Sequence, residues 1–164
     1  MTTVKDIRNH GEDDDPLTFL TAYDAPTAKI LDEAGIDMIL VGDSVGNAML
    51  GYDSTLPVTM DEIASHTGAV SRATEDSLII GDMPFMSYGA NIDEAIENAG
   101  RLLKEEGAQA IKHESGPHTI ELTDRLTDNG IPVMAHLGLN PQSVHNIGDL
   151  KRRGTTEEEA QKIR

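Results

Sequence analysis

The sequence predicts a parallel α/β fold, on three observations. Short apolar runs alternate with stretches whose apolar residues recur every three or four positions. Three of those helical stretches stop at a glycine (Gly35, Gly107, Gly130) that leads straight into an apolar run, and the unit repeats along the chain. Strand, helix, glycine, strand in series requires right-handed crossovers between parallel strands. An open doubly wound sheet and a (β/α)8 barrel both satisfy the pattern. No GxGxxG follows the first strand and no GxxxxGK[ST] occurs anywhere, which weakens the nucleotide-binding forms of the open sheet without excluding an open sheet.

Residues 17–21, 38–41, 77–80, 110–112 and 131–135 read as short buried strands, and residues 26–33, 60–73, 92–106 and 118–128 as helices. Two helix starts carry the pattern of a capping box: Thr59 with Glu62, and Asn91 with Glu94, each an acceptor at the N-cap followed three residues on by a glutamate. The three glycines suit the helix ends because glycine takes the left-handed conformation there without penalty. Thr155 or Thr156, with Glu158 or Glu159 three residues later, marks one more helix, and the sequence stops at Arg164 about two turns on. A helix with no following strand has no natural place to dock, and barrels of this type run to about 250 residues. Residues 1–164 therefore read as a single, truncated domain.

Composition narrows the function. Hydrophobic residues make up 38% of the chain with only three Tyr, two Phe and no Trp, so the core is aliphatic. There is no cysteine, which removes disulfides and thiolate ligands and fits a reducing compartment. No apolar run approaches a membrane span and no signal peptide is recognisable, so the expectation is a cytoplasmic protein. The net charge of −16 disfavours nucleic acid and anionic membranes as partners. The acids are spread along the chain and lysines are few, the pattern of a halophilic protein kept soluble in concentrated salt.

The chemistry concentrates where parallel α/β folds place it, at the carboxyl ends of the strands. The second strand ends in Asp43 and Ser44, the third in Asp82, the fourth in Lys112, His113 and Glu114, and the fifth in His136. Taken singly, each has an ordinary explanation: an aspartate after a strand is more often a cap, and a lone histidine is more often hydrogen-bonded structure. Four successive strands sending acids, a lysine and a histidine to one rim favour a site. Three carboxylates without cysteine suit a hard cation held by oxygen, Mg²⁺ above all. Lys112 and Glu114 are two apart and share a face of their strand; if that face is a barrel interior, His113 points outward at the helices and is structural.

The stretch 42–57 is long for a strand-to-helix loop and punctuated by glycine, so it is a candidate lid or specificity loop beside the alternative of a flexible insertion. Asp13, Asp14 and Asp15 read as a solvated acidic run, His66 as a surface or core helix residue, and Lys151, Arg152 and Arg153 as a basic patch too small for nucleic acid.

Several blocks carry a family resemblance. Leu20-Thr-Ala-Tyr-Asp24, Leu40-Val-Gly-Asp-Ser-Val-Gly46, Gly51-Tyr-Asp-Ser-Thr-Leu-Pro-Val-Thr59, Gly81-Asp-Met-Pro-Phe85, Lys112-His-Glu114 and His136-Leu-Gly-Leu-Asn-Pro-Gln-Ser143 stand in the order found in ketopantoate hydroxymethyltransferases. From about Thr18 to Ser143 the chain resembles the front portion of that family, within the phosphoenolpyruvate mutase and isocitrate lyase type of barrel. The resemblance implies an incomplete (β/α)8 TIM barrel with about five β/α units present and the last strands missing.

It implies a function too. The family transfers a hydroxymethyl group from 5,10-methylenetetrahydrofolate, or a related pterin, to 3-methyl-2-oxobutanoate, giving 2-dehydropantoate for pantothenate and coenzyme A synthesis through a Mg²⁺-stabilised enolate. By this resemblance Asp43, Asp82 and Glu114 are the metal ligands, and Asp43, Ser44, Asp82, Lys112 and His136 meet the keto acid. The family's general base is a glutamate beyond the sixth strand, so no catalytic base is assigned within residues 1–164, and the chain alone is expected to be inactive. The family forms large homo-oligomers. Two departures stand out: the family's Lys-x-Glu-Gly-Gly reads Glu114-Ser115-Gly116 here, and its Gly-Gly-Tyr-Lys loop reads Gly148-Asp149-Leu150-Lys151, which questions whether the 148–154 loop closes on substrate. A related Mg²⁺-dependent 2-oxo-acid lyase or mutase, and a non-catalytic fragment with a partial metal and keto-acid site, stand as alternatives.

Overall fold

The short apolar runs become five parallel strands: β1 (Phe19–Thr21), β2 (Met38–Val41), β3 (Leu78–Asp82), β4 (Ala110–Glu114) and β5 (Val133–His136). This is seen in a computed structural model of the chain, which describes residues 1–148, 151 and 153–163. The strands lie in the order β1-β2-β3-β4-β5, every pair parallel. A doubly wound sheet reverses its strand order at a switch point. Here the order runs straight through, as in a wall of a barrel. The five strands form a partial (β/α) barrel, which decides the alternative the sequence left open.

Helices α2 (Ala25–Glu33), α3 (Met60–Ser71), α4 (Ile92–Lys104) and α5 (Ile120–Asp128) follow the first four strands and pack in that order against one another. Gly35, Gly107 and Gly130 end three of them with φ near +80°, as expected. Thr59 and Glu62 form the predicted capping box. Asn91 differs: its side chain accepts from the amides of Asp93 and Glu94, and no return bond from Glu94 is described, so it is an N-cap without the box. A short helix the sequence reading passed over, α1 (Val4–Asn9), is closed by its own box between Thr3 and Asp6. Among the described residues, helices α6 (Val144–Ile147) and α7 (Glu157–Ile163) follow β5; Thr156 caps the latter through the Glu159 amide.

Strand alternation sorts the residues onto two faces. Ile39, Val41 and Ile79 pack outward against Ala28 and Val70, and Ile111 packs against Leu102, Leu122 and Leu126. Met38, Leu78, Ile80 and Ala110 face the other way and are covered by Val4 and Ile7 of α1. Continuing that inner row by steps of two reaches Asp82 on β3, Lys112 and Glu114 on β4, and His136 on β5. The polar residues thus crown an apolar floor, at the carboxyl end of the sheet. Phe19 and Leu20 on β1 are 39% and 48% exposed, so the β1 edge is open.

Candidate active site

The residues singled out at the strand ends line one cavity of about 340 Å³: Asp43, Ser44, Asp82, Lys112, Glu114 and His136, with Thr55 beside them and Phe19, Leu40, Met134, Ala135 and Pro141 as apolar walls. Each polar side chain except that of Thr55 is held by its neighbours. Lys112 Nζ lies 2.7 Å from Asp82 Oδ1 and 3.4 Å from Glu114 Oε1. His136 Nδ1 is 2.6 Å from Glu114 Oε2. The backbone amide of Asp43 donates to Asp82 Oδ2 at 3.0 Å, tying the end of β2 to that of β3. Ser44 Oγ shares a 2.8 Å hydrogen bond with Tyr23 Oη.

Asp43, Asp82, Lys112 and Glu114 are buried, which makes their charges costly. Burial pushes the Asp82 carboxyl up to about 7, against the pull of Lys112 and with Asp43 adding to the push. Burial also raises Asp43, while the Gln142 amide and Lys112 pull it down. For Lys112, burial works against its charge, but Asp82, Glu114 and Asp43 together outweigh it and hold the ammonium above the ordinary lysine value.

Among the described residues, no three His, Asp or Glu side chains already form a ligand cage. The charge balance nevertheless fits a divalent ion: three buried carboxylates face one ammonium, leaving two negative charges uncompensated when all are ionised. Oxygen donors of this kind, few in number and open to a cavity, suit Mg²⁺, which keeps water or substrate in several of its positions.

His113 is fully buried and faces outward as expected, with Nε2 3.1 Å from Thr123 Oγ1 on α5 and Nδ1 3.1 Å from the Glu114 carbonyl. His66, on α3, bonds the Tyr23 carbonyl at 2.6 Å and so supports the partner of Ser44. Residues 42–57 are anchored rather than loose. Val45, Thr55 and Val58 are buried, Gly46–Leu50 form a π-helical turn, and Tyr52 Oη donates to Glu62 at 2.7 Å; Met49 and Leu50 remain exposed. In the 148–154 loop, Asp149, Leu150 and Arg152 lie outside the described residues.

Two residues the sequence reading passed over hold the site together. Gln142 Nε2 donates to Asp43 Oδ2 at 2.9 Å and to the Met83 carbonyl at 3.0 Å. Tyr88 Oη donates to Gln142 Oε1 at 2.6 Å. Gln142 sits in a motif quoted for the resemblance, but a contact between residues so far apart leaves no local pattern to read.

The family model described as ketopantoate hydroxymethyltransferase matches residues 1–164. The chain belongs to that family. It is 61% identical over 166 residues to the 3-methyl-2-oxobutanoate hydroxymethyltransferase of Halobacterium salinarum, covering 99% of the chain and 61% of that relative. It is 60% identical to the protein of the same name from Haloarcula marismortui, covering 60% of it, and 52% identical to that from Clostridium novyi, covering 58%. The chain thus spans 58–61% of the length of these three relatives.

Among solved structures, the chain is similar to phosphonopyruvate hydrolase, with a TM-score of 0.62 at 18% identity over 82% of this chain and 52% of that one. It is similar to an oxaloacetate acetylhydrolase in complex with the product oxalate, with a TM-score of 0.58 at 15% identity over 88% and 55% of the two chains. A third neighbour, 2,3-dimethylmalate lyase, is described as a member of the PEP mutase/isocitrate lyase superfamily (TM-score 0.58, 14% identity, 82% and 52% covered). At such identities these likenesses speak for the barrel fold alone. No helix among the described residues is long and apolar enough to cross a membrane.

Proposed function

We propose that residues 1–164 carry the metal-binding and keto-acid-binding part of a cytoplasmic hydroxymethyltransferase. Its reaction moves a one-carbon unit from 5,10-methylenetetrahydrofolate to 3-methyl-2-oxobutanoate and yields 2-dehydropantoate. The observation that carries this reading is the meeting of Asp43, Ser44, Asp82, Lys112, Glu114 and His136 in one cavity. Family membership supports the activity.

Asp43, Asp82 and Glu114 would hold the Mg²⁺. When bound, that ion supplies a Lewis acid that draws electron density from the carboxylate and keto oxygens of a 2-oxo acid and so eases loss of the proton at C3. The protein's own groups set the rest. The Lys112 ammonium, fixed between Asp82 and Glu114, attracts the substrate anion and stabilises the charge that grows on its keto oxygen. Ser44 Oγ, held by Tyr23, offers a hydrogen bond to the substrate carboxylate. His136 orients Glu114. Phe19, Leu40, Met134 and Ala135 give an apolar wall suited to the branched methyl groups of 3-methyl-2-oxobutanoate.

None of these groups is assigned as the base that takes the C3 proton. The chain alone is therefore expected to bind Mg²⁺ and keto acid without exchanging that proton. The test is a pair of measurements: calorimetric titration of Mg²⁺ with and without 3-methyl-2-oxobutanoate, and proton NMR of the keto acid in deuterium oxide. Tighter Mg²⁺ binding with the keto acid present and no exchange at C3 support the reading. Absence of keto-acid-dependent binding refutes the site, and exchange by the chain alone refutes the assignment of the base elsewhere.

A further inference from the structure

We infer that Gln142, held in one orientation by Tyr88, is a positioning residue for Asp43 and sets the ligand geometry of the site. This rests on the reading of the site given above. The Gln142 amide nitrogen faces two acceptors, Asp43 Oδ2 at 2.9 Å and the Met83 carbonyl at 3.0 Å. An amide turned the other way would set its oxygen against both, so the nitrogen must point there and the oxygen must point at Tyr88. Tyr88 Oη stands 2.6 Å from that oxygen and therefore donates. Both side chains are buried, Gln142 at 5% and Tyr88 at 9% exposure, where water is poorly placed to replace a lost partner.

The connection joins segments far apart in sequence. Asp43 follows β2, Met83 and Tyr88 follow β3, and Gln142 follows β5. Tyr88 also packs against His113 of β4, with ring centroids 5.5 Å apart. Four successive strand ends are thereby fixed to one another beside the carboxylates. Through this chain Gln142 occupies one oxygen of Asp43 and fixes the plane of its carboxylate. Groups that orient a ligand in this way commonly change metal affinity by about 10–100-fold when removed.

The test is Mg²⁺ titration of the whole chain with 3-methyl-2-oxobutanoate present, for the unmodified protein, Gln142→Leu and Tyr88→Phe. Each is paired with a metal-free thermal midpoint, and the unmodified protein and Tyr88→Phe also with NMR of the Gln142 side-chain amide protons. Gln142→Leu is expected to weaken Mg²⁺ binding by about 10–100-fold, and Tyr88→Phe by about tenfold. Tyr88→Phe should also speed exchange of the Gln142 amide protons while leaving the fold intact, an effect that a tyrosine with no hold on Gln142 would not produce. Should Gln142→Leu fail to fold, the near-isosteric Tyr88→Phe decides alone. If the unmodified chain binds but the folded variants match it within about twofold, the inference is overturned while the site stands. If the unmodified chain shows no keto-acid-dependent binding, the site reading fails and takes this inference with it.

Discussion

Lys112 Nζ lies 2.7 Å from Asp82 Oδ1, and the two side chains are 10% and 1% exposed. Removing one partner of a buried pair leaves the other unpaired and costs up to about 3–5 kcal/mol. Lys112→Met is therefore expected to destabilise the chain, most strongly above about pH 7. The pH dependence follows from Asp82. Its folded value of about 7 lies above the ordinary 3.8, so the folded state binds the proton more tightly and this group favours the fold as pH falls through that window. Lys112 pulls the Asp82 carboxyl down, so without it that carboxyl rises further and only the variant goes on losing stability above about pH 7. Urea midpoints of Lys112→Met should thus recover toward the unmodified chain as pH falls from about 8 to about 7. A defect of equal size at both pH values would contradict it.

Asp32 gives the opposite sign. Its carboxylate accepts from the amides of Glu75, Asp76 and Ser77 at 2.9, 3.1 and 2.7 Å and from Ser77 Oγ at 2.7 Å, pinning α2 to the turn before β3. Although its partial burial pushes the other way, these bonds hold the group below the ordinary 3.8. Its stabilisation is present above 3.8 and is lost as pH falls through the lower, folded value. Asp32→Ala should cost about 1–2 kcal/mol at neutral pH, the partial exposure keeping it at the low end. The difference from the unmodified chain in urea should shrink below about pH 3.8.

Gly46 tests whether the 42–57 segment is anchored. A Cβ there would stand 2.7 Å from Val58 Cγ2 and 3.2 Å from the Ser54 carbonyl. Gly46→Ala is expected to cost about 1–3 kcal/mol, read as a lower thermal midpoint. Gly89→Ala, where nothing lies within 4 Å of the added atom, should cost less and serves as the comparison.

The net charge of −16 predicts a salt response. Raising KCl from about 0.1 M to about 2 M shortens the screening length from about 10 Å to below about 3 Å and should raise the thermal midpoint. A flat or falling midpoint across that range would remove the reading of the acidic surface as adaptation to salt.

Much of this was legible in the sequence because it is local. Apolar runs such as Met38–Val41 declare buried strands, and parallel α/β folds gather their chemistry at the carboxyl ends of such strands, which is why Asp82 and Lys112 could be placed together. Strand order was not legible, since periodicity is the same in a barrel and an open sheet; only the pairing β1-β2-β3-β4-β5 distinguishes them. Helix α1 escaped notice because one and a half turns leave too short a period, although Thr3 and Asp6 formed a readable box. Gln142 and Tyr88 escaped for a different reason: their partners are brought close by the fold alone.

In the proposed site, Asp43, Asp82 and Glu114 serve one divalent cation together with a 2-oxo acid. Anomalous diffraction from crystals grown with Mn²⁺ and 3-methyl-2-oxobutanoate tests it most directly. A single strong peak is expected in the cavity, within about 2.0–2.3 Å of carboxylate oxygens of Asp43 and Asp82, with Glu114 bound directly or through one water. A peak at the acidic run Asp13–Asp15 instead, or bound keto acid with no metal beside those carboxylates, would contradict it.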